Sequence, residues 1–307
     1  MNILTPIAVT PAMITAGTTV AEPASGEAAW VSAGTYAVGD LRIRATTHRV
    51  YACVQAHTGR TALPEVDSAY WLDKNPTQRY APFDVYVSTA ATGVTSMTYV
   101  LSVGYFNALA LYGLTGTAIT VTVKDAPGGA VIYSYSAPLL GDPAGWWEFL
   151  FLAPKTITKL ILTNIPIRPG AELTVTVTNA AGQSVGIGML NVGDYRSLMG
   201  DAEWGGTQYG ASAEPVSNSY INSNPDGTIK IVRRAAATGM RATVMLPGDQ
   251  ADYALSCVQE VLDVPVSWIA TGAPGYAGLN CFGLGSGSLT YDSFGVASLN
   301  IAVKGTI

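Results

Sequence analysis

Between residues 84 and 195, short apolar segments recur about every twelve residues, separated by turn formers. They are VYVSTA, MTYVLSV, ALALYGL, AITVTVKD, AVIYSYSA, WEFLFLA, KLILTNI, ELTVTVTN and VGIGMLNVG, with Pro127-Gly128-Gly129 and Arg168-Pro169-Gly170 marking two of the bends. Segments of this length and pitch, rich in β-branched and aromatic residues, predict an antiparallel β-sandwich, here a jelly roll. Strict Thr-Val alternation at 120–123 and 174–177 gives those strands a β-branched core face and a hydroxyl-bearing outer face.

The remainder of the chain divides around this sandwich, taken as residues 76–195. Residues 1–28, rich in Thr, Ala and Pro, read as an extended arm lying on a neighbour or on the next domain, because they are too few to build a core. Residues 29–75 contain LRIRA and RVYACVQA, where alternation sets Leu41 and Ile43 on one face and Arg42 and Arg44 on the other. That pattern predicts a small sheet with one wet side.

Residues 196–307 open on a polar, Gly-rich stretch in which NSNPDG at 222–227 lacks the alternating acids and distal Glu of a calcium loop and reads as a turn. Strands return at TIKIVRR and RATVMLP. A helix follows in PGDQADYALSCVQEVLDVP, with Asp249 as N-cap, an apolar stripe at Ala254, Leu255, Val258, Val261 and Leu262, and a stop near Asp263 imposed by Pro265. VSWIAT, LNCFGLGSG, SLTYDS and VASLNIAVKG complete a C-terminal α+β unit. The expected fold class is mainly β, with one helix.

Composition narrows the function. Charged residues make up 12% of the 307, about half the usual share, so the surface is neutral or partly covered by other subunits. The net charge of −5 is spread thinly and no basic patch stands out, which argues against nucleic acid as a partner. No apolar stretch is long enough to span a membrane. The first basic residue is Arg42, and Pro6 and Pro11 interrupt the apolar start, so neither export by a signal nor anchoring is expected.

Catalytic patterns are not found. The two histidines, His48 and His57, stand in no ligand spacing. Cys53, Cys257 and Cys281 are too dispersed for zinc or redox motifs and read as small buried apolar residues. Gly283-Leu284-Gly285-Ser286-Gly287 matches neither a nucleophile elbow nor a phosphate-binding loop and is expected to be a Gly-rich strand or loop. Acid pairs such as Asp142 with Glu148 are not singled out by anything around them. No enzyme activity, cofactor or metal is expected, although a calcium held by backbone carbonyls leaves no trace in a sequence.

Aromatic residues remain. Trp30, Tyr36, Tyr51 and Trp71 fall in a segment of about 45 residues, too small to fold on aliphatic side chains alone, so they are either a sugar-stacking platform or the module's own core. Trp146 and Trp147 pose the same choice, since a strand at WEFLF would turn one ring inward and the other outward.

The spacing Ala29-Trp30, Tyr36, Gly39-Asp40, followed by VYACVQAHTG, Pro64 and Tyr70-Trp71, resembles the type 3 chitin-binding module of bacterial chitinases and cellulases over about 29–74. Its usual Asn-rich turn is replaced by QAHTGRTALPEVDS, which bears on whether a sugar-stacking edge survives. The whole order is similar to tail or baseplate structural proteins of long-tailed bacteriophages: a proline-broken lead, this module, NPTQRYAPFD, a sandwich ending VGIGMLNVGDYRSLMG, then IKIVRRAAATGMRATVMLP before a helix.

The sandwich itself resembles galactose-binding-like jelly rolls. What these resemblances imply is a virion protein of the tail tip, assembled in the host cytoplasm as a homo-oligomeric ring with other tail proteins. Host-surface glycan would be a further contact, through Trp30, Tyr36, Tyr51, Trp71, Trp146 or Trp147. The alternative is a receptor-binding or carbohydrate-binding protein without a ring role.

Overall fold

The computed structural model describes residues 1–141, 143, 145–152, 154–223, 227–232, 236–273 and 275–306. Strands Val131–Pro138, Ala118–Lys124, Glu172–Thr178 and Ser96–Leu101 lie side by side in that order as an antiparallel sheet. Their alternation works as the sequence requires: Val121, Val123, Val175 and Val177 are fully buried, whereas the hydroxyls of Thr98 and Thr176 meet across the outer face at 3.0 Å. Lys159–Leu162, Ala108–Tyr112 and Met189–Ser197 face them from a second sheet, and Leu109, Leu111, Leu190 and Val192 close the shared core. The chain is mainly β, and this part of it is a β-sandwich.

Two of the nine segments are not strands. At VYVSTA the Asp84 carboxylate accepts hydrogen bonds from the Tyr86 N–H (2.8 Å) and the Thr89 hydroxyl (2.5 Å), so the chain turns and the strand begins only at Ala91. WEFLF is a short helix, Trp146–Phe151, so the inward-outward alternation expected of Trp146 and Trp147 does not arise. Five of its six residues are apolar without any period-two pattern, which leaves a strand there no wet face. Asp142, and residues 224–226 of the NSNPDG turn, lie outside the described residues.

The second sheet continues past the sandwich. Asn2–Pro6 sits between Met189–Ser197 and Val266–Ile269, antiparallel to both, and links the sandwich to Asn280–Ser293, Val296–Gly305 and Ala236–Pro247 in one ten-stranded sheet. Ile3 is buried in the C-terminal core and Leu4 among Ala108, Tyr112, Met189, Ile269 and Phe282, so successive side chains serve opposite faces of an interior strand. Residues Asn2–Pro6 are therefore an integral strand and not an arm. The rest of the lead lies on the sandwich: Ile14 and Val20 are buried, and the backbone N–H groups of Thr15 and Thr19 bond to the carbonyls of Val100 and Thr98, covering what would be an open sheet edge.

Helix Ala251–Glu260 covers one face of the C-terminal strands with Ala251, Ala254, Cys257 and Val258, and Val261 follows them into the core. Leu262 lies beyond the helix and is exposed. Asp249 does not cap it, because a 3-10 turn at Gly248–Gln250 intervenes and no side chain caps the helix start. The GLGSG run is strand. A Cβ at Gly285 would lie 2.1 Å from the Trp268 ring, whose indole N–H donates to the Gly283 carbonyl at 3.1 Å, so the absent side chain leaves space for the buried indole.

The small module folds as a three-stranded sheet, Leu41–Arg44, Arg49–Cys53 and Trp71–Pro76, beside the short pair Thr35–Tyr36 and His57–Thr58. It is clasped to the sandwich by the lead. Glu22 receives the Thr77 hydroxyl at 2.7 Å and meets His48 Nδ1 at 2.8 Å, Glu27 accepts from the Gln78 N–H at 2.7 Å, and the His48 ring stacks on Tyr80.

Candidate interaction surface

The module's aromatics turn inward. Tyr36, Tyr51 and Trp71 are buried with Cys53, Trp71 being only 2% exposed, and the Tyr36 and Trp71 rings meet edge to face at 5.0 Å. Trp30 is half-buried beneath the Arg44 guanidinium, 5.2 Å from its ring centre. The indole N–H groups of Trp30 and Trp71 are enclosed without an acceptor, so neither is turned outward toward a sugar hydroxyl. A module this small has no other core, and four of the six residues expected to stack on sugar are used to build it.

The histidines and cysteines have structural surroundings too. His48 belongs to the clasp. Cys53 Sγ lies 3.8 Å from His57 Nδ1, but the thiol donates to the Gln55 carbonyl, and burial raises its pKa, the reverse of what an activated nucleophile needs. Burial likewise pushes the Cys281 thiol up to about 11. Among the described residues no three His, Cys, Asp or Glu side chains gather as a metal site, and no helix is long and apolar enough to cross a membrane.

What the structure leaves uncovered is Trp146 and Trp147, which are 81% and 68% exposed. A narrow stalk carries them: Leu140 and Thr156 bridge, and the Gly141 N–H bonds to the Lys155 carbonyl at 2.8 Å. Phe149, Leu150, Phe151 and Leu152 are exposed as well. At about 100° per residue these positions surround the helix, so the tip is apolar on nearly every side. The Trp147 and Phe151 rings pack at 4.4 Å, and Lys155 pairs with Glu148 at 2.9 Å, neutralising the tip's one charge.

A second apolar projection is the hairpin Tyr220–Ser223 with Ile229–Val232. Tyr220, Ile221, Ile229, Ile231 and Val232 are all exposed, and an isolated two-stranded hairpin is marginal in water. The two projections leave the body close together, since Thr158 and Lys159 below one, and Ala236, Ala237 and Thr238 below the other, line a single cavity of about 230 Å³. A signal for the first existed in the sequence: WWEFLFL is a mostly apolar run that neither alternates nor reaches the length of a buried helix. Comparison with family models, with curated proteins and with solved structures found no match to this chain.

Proposed function

We propose that this chain is a structural protein of a tailed-bacteriophage tail tip or baseplate, built to be covered by neighbouring subunits. The observation that carries the reading is the pair of apolar projections, 146–152 and 220–232, which expose eleven large apolar side chains of a chain with only 12% charged residues. Apolar surface on this scale marks an interaction site. The resemblance of the whole chain to tail and baseplate proteins supplies the class of assembly, and the continuous sheet supplies a rigid body to hold the projections.

A glycan-binding role would rest on Trp146 and Trp147 alone. Sugar recognition pairs an aromatic platform with polar groups that meet the hydroxyls. The four further apolar side chains around these tryptophans suit a protein surface better.

The test is localisation. In particles purified with the chain present, immunogold labelling is expected at the distal end of the tail. Particles that lack the chain, or carry it only on the capsid, would refute the assignment.

A further inference from the structure

We infer that the Trp146–Leu152 tip of one copy seats in a trough on the outer face of the C-terminal sheet of the next copy, a head-to-tail contact between identical chains. This deepens the assembly reading above and rests on it. Helix Ala251–Glu260 covers one face of strands 236–247, 280–293 and 296–305. On the opposite face, pairing aligns Glu214 with Gly239, Arg241 with Ala302, and Ser286 with Ala302.

On that face Gly239, Ser286 and Ala302 are small and leave hollows between Arg241, Leu284 and Lys304. A cavity of about 370 Å³ lies over Ala237, Gly239 and Ala302, rimmed by Val216, Leu284 and Lys304, and a second of about 420 Å³ adjoins it across Arg241, Ser286 and Ala302. Large apolar knobs and small-residue hollows on one chain are complementary by shape.

Charge and area agree. The tip carries Glu148 paired with Lys155, and the rim carries Arg241 paired with Glu214, with Lys304 beside them, so docking can exchange each pair for its counterpart across the contact. Six tip side chains, at about 150–250 Å² per aromatic and roughly two-thirds uncovered, leave on the order of 700–800 Å² to bury, close to what each partner contributes to a stable interface. Tip-to-trough pairing is heterologous, so repetition closes a ring or runs on as a filament.

The experiment is sedimentation velocity at micromolar concentration on the full chain and two variants. Trp147→Ser/Phe151→Ser removes the knob and Ala302→Arg fills the trough, both at exposed positions, with retained folding checked by thermal melt. Wild type is expected to form oligomers larger than dimers. Each variant alone should associate on the order of a hundredfold more weakly, as when central aromatic anchors are lost. An equimolar mixture of the two should give a one-to-one dimer, because the intact knob of one meets the intact trough of the other.

A mixture that stays monomeric, or variants that associate as wild type does, overturns the inference. So does a wild-type monomer, including one that floats with phosphatidylcholine vesicles, which would assign the tip to lipid. Particle localisation is independent of these outcomes, so a chain found at the tail tip but assembling through another surface would refute this contact and leave the assembly reading standing.

Discussion

Leu4→Ala tests whether the first strand ties the two halves into one body. Leu4 is fully buried, packed from the sandwich side by Ala108, Tyr112 and Met189 and from the C-terminal side by Ile269 and Phe282. Truncation removes three buried carbons at about 0.8 kcal/mol each and opens a cavity that an interior strand, hydrogen-bonded on both edges, cannot collapse, so the cost should be about 3–4 kcal/mol. For a chain of this size that is a fall of roughly 5–10 °C in melting temperature. Amide hydrogen exchange gives the sharper readout. Protection should drop together at Ala108–Tyr112 and Val266–Ile269, strands on either side of the substitution. A loss below about 1 kcal/mol, or one confined to a single side, would show that the halves fold separately and refute the reasoning. Val31→Ala, at an exposed position, serves as the neutral control.

Other expectations follow from single contacts. Gly285→Ala should cost about 2 kcal/mol or more in urea unfolding, because the new methyl collides with the Trp268 ring; an unchanged midpoint would mean that the indole has room to move. Trp71→Ala should destabilise the small module by about 3–5 kcal/mol, seen as lost exchange protection in Arg49–Cys53; a stable variant that instead loses glycan affinity would restore the platform reading. The Cys281 thiol has its folded pKa raised from 9.0 to about 11, so between those values the unfolded chain releases a proton that the folded chain keeps, and stability falls as pH rises. Its share should be about 2–3 kcal/mol, added to that of the buried Tyr99 and Tyr112, whose phenols burial also pushes up, so the decline should be shallower by that amount in Cys281→Ala; an equal decline in the variant would place its cause elsewhere.

The strands of the sandwich were legible because Thr-Val alternation leaves one solution, and Val121 and Val175 sit where period two puts them. The helix was legible as a stripe, but its start was not. Asp249 has the right chemistry for an N-cap, and only the 3-10 turn at Gly248–Gln250 displaces it. Asn2–Pro6 was misread because its membership of the sheet depends on partners about 190 and 265 residues away, which no local pattern records. At the candidate site the sequence singled out Trp146 and Trp147 but placed them on a strand where the chain forms a helix. Five apolar residues out of six, too many for a wet strand and too few for a buried helix, form a short turn of helix, and their exposure follows from a stalk fixed by the backbone of Leu139–Gly141 and Lys155–Ile157.

The most direct measurement is a cryo-electron microscopy map of an assembled tail tip at side-chain detail. The account predicts several copies of this chain around the tail axis, with Trp146 to Leu152 of each enclosed by a neighbour and the hairpin at 220–232 covered. A map in which the chain is absent, or in which both apolar projections stand in solvent, would contradict it.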